Sequence, residues 1–370
     1  MISLSNSNSI AGLPASLLGG GTPPAGLDFV STWDTTQAGS ASDTVVLPLL
    51  SGGFYSGTID WGDGSTSVLS YANRTHTYAS GGVKVISISG QIDGWQFNNA
   101  GDKAKITDVS NWGTLNITTN SAFFGCSNLD VIATDAPIIS TTDLIRTFRS
   151  CTSLTDPNLN SWDVSSVTLF GNYQNGVFYG ASNANPKIEL WDVSSGTSFR
   201  DMFWGTQFNR DISNWNISSA TGLALSGMFA LTPFNQPIQN WTLPPAVTSL
   251  GENNQGMFYQ NSAFNQPIGT WNTSSIIKMR QVFFSAAVFD QDVSNWQVTQ
   301  VTDLVGFMQN AKLSTANYDA LLIAWDAQGA MSFSGTAHFG LSKYTAGGAA
   351  EAARTSLISK WGGIIDGGAA

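Results

Sequence analysis

The sequence predicts a mainly β protein with short helices: an N-terminal β-sandwich, a repeat solenoid and a helical C-terminal cap. Three observations carry that prediction. A tryptophan returns about every 25–30 residues, at Trp162, Trp191, Trp215, Trp241, Trp271 and Trp296. A fixed period of this size marks a stack whose units bury their apolar faces only against neighbours. The segment before the repeats alternates in period two between turn signals, and the segment after them takes on helical spacing.

Composition narrows the function classes. Of 370 residues only 11% are charged, while there are 38 Gly and 13 Trp, which is not a disordered composition. The formal net charge of −10 argues against nucleic-acid binding, which needs Lys and Arg to displace counterions from phosphate. It equally disfavours an anionic membrane surface. No stretch is long and apolar enough to span a bilayer. The opening "MISLSNSNSIAGLPASLLGGG" lacks the basic start and long apolar core of a secretory signal.

Residues 1–26 are Ser/Asn-rich, then Gly/Pro-rich, and read as an extended arm and linker. One apolar patch, with Ile10, Leu13, Leu17 and Leu18, suits an anchoring peptide. Residues 27–92 read as the sandwich, with Asp63-Gly64 and Gly81-Gly82 as turns. Residues 93–312 read as about eight coils, Pro137 holding the place of a missing Trp between Trp112 and Trp162. From each recurring Phe to the next Trp the distance stays at 12 or 13 residues, whereas from Trp to the following Phe it runs from 11 to 17. Insertions therefore fall in one half of the unit and emerge along one edge. Within a coil, "DISNWNI" reads as a strand, and the Ser-Ser pair that follows reads as the N-cap of a short helix. Residues 313–370 read as the cap, with helices over 314–326 and 346–360.

Two resemblances follow. "IDWGDGST" and "HTYASGGVKVISISG", with Trp61, Gly62, Asp63, Gly64, His76, Thr77 and Tyr78, resemble the PKD type of immunoglobulin-like domain, which implies a spacer or protein–protein module. "MFYQNSAFNQPIGTWNTSS" and its siblings resemble the BspA-like leucine-rich-repeat surface-protein repeats of the DUF285 type, over roughly residues 105–325. Pro244-Pro245, in place of Ser-Ser, departs from that pattern. The resemblance implies a leucine-rich-repeat-like solenoid with surface or adhesion roles and no catalytic residues.

Candidate chemistry is sparse. Asp28, Asp43, Asp60 and Asp63 are carboxylates of the kind calcium wants, but Asp63-Gly64 is equally a plain hairpin turn, and no cofactor is expected. His76 lacks a nucleophile motif. Asp163, Asp192, Asp211, Asp290 and Asp292 recur coil by coil, as turn residues do and as a single acid–base pair does not. Cys126 and Cys151 lie one period apart, compatible with a disulfide or with two small buried side chains. Tyr173, Trp204 and Tyr259 fall off the Trp ladder and are the candidate exposed binding aromatics.

The expectation is a non-enzymatic virion-surface protein of a tailed bacteriophage: a decoration, fibre or adhesin. The arm would hold a viral capsid or tail protein, and the solenoid would meet a host surface protein or glycan. A surface repeat without an export signal motivates it. The alternatives are a bacterial cell-surface adhesin and a polysaccharide-binding or -degrading protein; homo-oligomerisation stays open.

Overall fold

The computed structural model describes residues 28–329 and 332–370. The apolar arm residues Ile10, Leu13, Leu17 and Leu18 lie outside them. Ten strands open the chain: β1 Phe29–Asp34, β2 Thr44–Val46, β3 Tyr55–Asp60, β4 Thr66–Val68, β5 Thr75–Thr77, β6 Val83–Asp93, β7 Ile106–Asn111, β8 Leu115–Ile117, β9 Asp130–Val131 and β10 Ile138–Ile139. One eight-stranded sheet runs β10-β8-β6-β1-β7-β9, with β3 on β6 and β4 on β3, while β2 pairs with β5 alone. This sheet runs straight through the expected junction at 92–93: Ile92 and Asp93 pair in parallel with Leu115 and Asn116 of the first coils. The N-terminal unit thus closes the open end of the stack. A buried Lys105 reinforces the junction, its ammonium donating to the carbonyls of Ser40, Ala41 and Thr44.

A β-solenoid of about ten turns follows. Its axis is a column of ten buried phenylalanines: Phe97, Phe123, Phe148, Phe178, Phe203, Phe229, Phe258, Phe283, Phe307 and Phe339. Successive ring centroids lie 5.5–6.2 Å apart. Beside it the tryptophans staple coil to coil. The indole N–H of Trp191 donates to Leu159 O at 2.7 Å, that of Trp241 to Ile212 O at 3.2 Å and that of Trp296 to Ile268 O at 3.0 Å. Where Pro137 replaces a Trp, Trp112 and Trp162 meet directly at 5.2 Å.

The internal layout of a coil differs from the expected strand followed by a capped helix. The Trp segment is a turn, in which Trp215 N–H donates to Ile212 O and Ser213 N–H to Asp211 Oδ1. Short strands stand where the helix was expected: β11 Leu169–Gly171, β12 Ser198–Phe199, β13 Ser249–Glu252, β14 Gln255–Gly256 and β15 Lys278–Met279. The reason is a left-handed residue just before the recurring Phe, at Arg146 (φ 61°), Asp201 (φ 55°) and Gln281 (φ 56°), which a right-handed helix excludes. The backbone N–H groups of Asp201 and Gln281 bond forward to the next coil, at Ser226 O and Val305 O, both 3.1 Å. The Ser-Ser pair also serves the stack: Ser219 Oγ donates back to Ser194 O and Ser275 Oγ to Val247 O.

The F-N-Q phrase has its own inter-coil role. Asn209 N–H donates to Asn185 Oδ1, Asn235 N–H to Asn209 Oδ1, Asn265 N–H to Asn235 Oδ1 and Asp290 N–H to Asn265 Oδ1, all at 2.9–3.0 Å. Gln236, Gln266 and Gln291 clamp the same asparagines from above. Asp290 hands this amide ladder on to Ser314 N–H and Asn317.

The C-terminal end continues the coil instead of abandoning it. Helix α1 (Thr315–Ala327) leads to strand β16 (Gly335–His338), then α2 (Ala349–Trp361) leads to β17 (Gly362–Ile365), and β16 pairs with β17 in parallel. Met308 N–H donates to His338 O and Phe339 N–H to Ile365 O, so the inter-coil register persists. The helices replace the Trp half of the last coils and close the stack.

Candidate functional site

Insertions do emerge along one edge, and two of them converge there. One is the segment 172–176 after β11; the other is the β13–β14 hairpin, turning through Asn253 and Asn254 in left-handed conformations. Between them sits Asp201, fully buried, whose Oδ2 accepts from Gln174 N–H at 2.7 Å and Gln255 Nε2 at 2.5 Å. Its Oδ1 has no partner and lies against Gly227, occupying the space a Cβ there would need. Burial pushes this carboxyl up to about 7, against the opposing pull of the Gln174 amide, the Arg200 guanidinium and Gln255. Arg200 donates to Gln255 Oε1 at 2.5 Å and pairs with Glu252 at 3.4 Å. Lys278 joins Glu252 at 2.6 Å, and Arg280 pairs with Asp303 at 2.8 Å.

The candidate aromatics lie on this edge. Tyr173 is 49% exposed at the tip of the first insertion, under the Arg200 guanidinium at 5.0 Å. Trp204 and Tyr259 are half-exposed and stack on each other at 5.9 Å. They belong to coils two apart and meet over Ala230, the small residue in the same place of the coil between. Tyr179 stacks on Trp204 at 6.0 Å and Phe284 on Tyr259 at 4.9 Å. Arg149 extends the row, its guanidinium 5.1 Å from Tyr179 and 5.0 Å from Phe124. The result is one row across the coils: Phe124, Arg149, Tyr179, Trp204, Tyr259 and Phe284. Sequence reasoning reached two of its members. The missed signal was positional, since each of these residues directly follows a column phenylalanine.

The other sequence candidates have local roles. Asp163, Asp192, Asp211 and Asp292 each accept the backbone N–H two residues on, from Ser165, Ser194, Ser213 and Ser294, and Asn216 and Asn272, which like Asp163 and Asp192 directly follow a Trp, do the same. Asp28 holds Ser87, Asp60 holds Gly62 N–H, and Asp43 accepts from Thr44. Asp63 holds Ser65 and His76, which keep its carboxyl well below the usual range. Among the described residues no three His, Cys, Asp or Glu side chains are grouped to hold a metal ion. Cys126 and Cys151 are free, buried thiols, pushed up by burial, and Cys151 Sγ faces Phe123 O at 3.1 Å. Among the described residues no helix is long and apolar enough to cross a membrane.

The sequence model of one family, described as "Mycoplasma protein of unknown function, DUF285", matches residues 94–172, 142–252 and 247–340. No curated protein and no solved structure matches the chain.

Proposed function

The chain belongs to the DUF285 family, and from that premise we propose a non-enzymatic adhesion role in which the insertion edge is the binding surface. One observation carries this reading: the row of Tyr, Trp, Phe and Arg side chains left half-exposed where the two insertions converge. Trp, Tyr and Arg dominate the energetics of protein recognition surfaces, the rings because they cover much area at little cost in side-chain order. The test is flow cytometry of the labelled full chain on a panel of bacterial strains, beside the Trp204→Ala/Tyr259→Ala variant. We expect the variant to lose at least about tenfold in apparent affinity for any strain bound. Equal binding by both proteins would sink the reading.

The finer reading is a virion-surface protein of a tailed bacteriophage, with residues 1–26 anchoring it and the solenoid facing outward. Its support is compositional: a polar, Gly/Pro-rich segment carrying a single apolar patch. If protein lacking residues 1–26 still assembles onto particles, the anchor idea fails. Residues 27–92 then serve as a PKD-like spacer. The stacking of His76 on Trp61 at 4.8 Å and the Tyr78 hydroxyl bond to Trp61 O at 3.0 Å support that reading, since they lock the turn and the later strand together.

A further inference from the structure

Arg146 and Arg149 share one aromatic ring. Their guanidinium carbons lie 5.8 and 5.0 Å from the centroid of Phe124, and both side chains are half-buried. Neither forms an ion pair with any described residue, in a chain with 25 acidic and 15 basic residues. The side chain of Arg146 donates no hydrogen bond to a described residue, and Arg149 donates one, to Asn175 Oδ1 at 2.5 Å. The Nε of each is buried and unpartnered. Asp143, three residues before Arg146, makes its bonds elsewhere, accepting from Asn120 Nδ2 and Ile145 N–H. Arg146 also holds a left-handed backbone (φ 61°), a conformation that costs a long side chain energy. Two like charges set side by side without an ion-pair partner repel each other, and an arriving anion relieves that repulsion.

We propose that Arg146 and Arg149 form an anion subsite for the acidic group of a surface polysaccharide, whose chain continues along the row past Tyr179. This rests on the adhesion reading above and names its ligand class. A glycan is favoured over an acidic peptide because the half-buried residues beside Arg149 include two hydroxyls, those of Tyr179 and Ser150. Nearby β11 and β12 already pair coil to coil, which gives a peptide no strand edge to extend.

The test is interferometry of the full chain on immobilised alginate, dextran sulfate, neutral dextran and polyglutamate. The expected result is binding to alginate or dextran sulfate, the preferred one identifying carboxylate or sulfate as the group read, with little binding to dextran. Arg146→Asn, which tolerates the left-handed backbone, and Arg149→Gln should each weaken it about tenfold with an unchanged melting temperature. Arg149→Lys, which keeps the charge and loses the planar fork, should fall between. Absence of binding to both acidic glycans, equal binding by folded variants, or polyglutamate binding as tight as either glycan would overturn the inference. Cell binding that needs Trp204 but neither arginine would overturn it too, while leaving the adhesion reading intact.

Discussion

The two long edges of the solenoid are built on opposite plans. On the Trp–Asn edge the coils of Trp241, Trp271 and Trp296 each make the same bonds to the one before: indole N–H to an Ile carbonyl, backbone N–H to the preceding Asn side-chain oxygen, Gln amide to that same Asn. On the insertion edge no two neighbouring coils match, and contacts skip from one coil to the next but one, as from Gln255 to Asp201 or from Tyr259 to Trp204. The first edge spreads its stability over identical rungs. The second concentrates a buried carboxylate, unpaired guanidinium groups and half-exposed rings in one place. Uniformity marks what the chain needs in order to stack, and irregularity marks what it has to meet.

The comparison breaks most visibly at the column. Phe229 packs between Phe203 and Phe258 and against Phe234 at 3.9 Å, so Phe229→Ala should cost about 3–5 kcal/mol in denaturant unfolding. A loss under about 1 kcal/mol would mean that the stack relaxes around the hole. On the Trp–Asn edge, Asn235→Ala removes the acceptor for Asn265 N–H and Gln266 and should cost about 1–3 kcal/mol. The equivalent change at Asn209 should cost about the same, because the rungs are alike.

The insertion edge should carry a pH response of its own, through Asp201. Asp201 holds its proton up to about 7 in the folded chain, whereas the unfolded chain releases it near the ordinary carboxylate value of about 4. Between those values the native state binds the extra proton. Stability from this group is therefore full below about pH 4 and falls as the pH rises to about 7. Asp201→Asn keeps an acceptor oxygen for Gln174 and Gln255 and should flatten that fall in a series of melting temperatures; an unchanged slope would contradict it. The smallest effect belongs to Tyr173. Tyr173→Ala should shift stability by less than about 0.5 kcal/mol, since the ring is exposed and packs beneath Arg200.

Much of the first edge was legible in the sequence, and little of the second. The Trp and Phe spacing revealed the stack, and the Ala/Leu pattern placed both terminal helices within a few residues. The inside of a coil was misread because Ser-Ser and "VTDLVGFM" carry local helical signals, while the competing bonds run to residues some 25 positions away. A left-handed Asp201 or Gln281 looks ordinary in a sequence, since nothing but the neighbouring coil requires it. The insertions showed in the spacing as added length. Their convergence on Asp201 depends on side chains from separate coils, Gln174 and Gln255, which no local pattern relates.

The amide ladder has a direction: each F-N-Q unit accepts from the unit after it and donates to the one before, until Asp290 passes the series to the closing segment. A unit duplicated or deleted within that run leaves its neighbours the same partners. Reach is thus adjustable in steps of about 4.8 Å, one strand spacing each, without redesign of either end. A lineage that gains or loses one such unit changes how far the row extends from its base, as a ruler is lengthened by whole divisions.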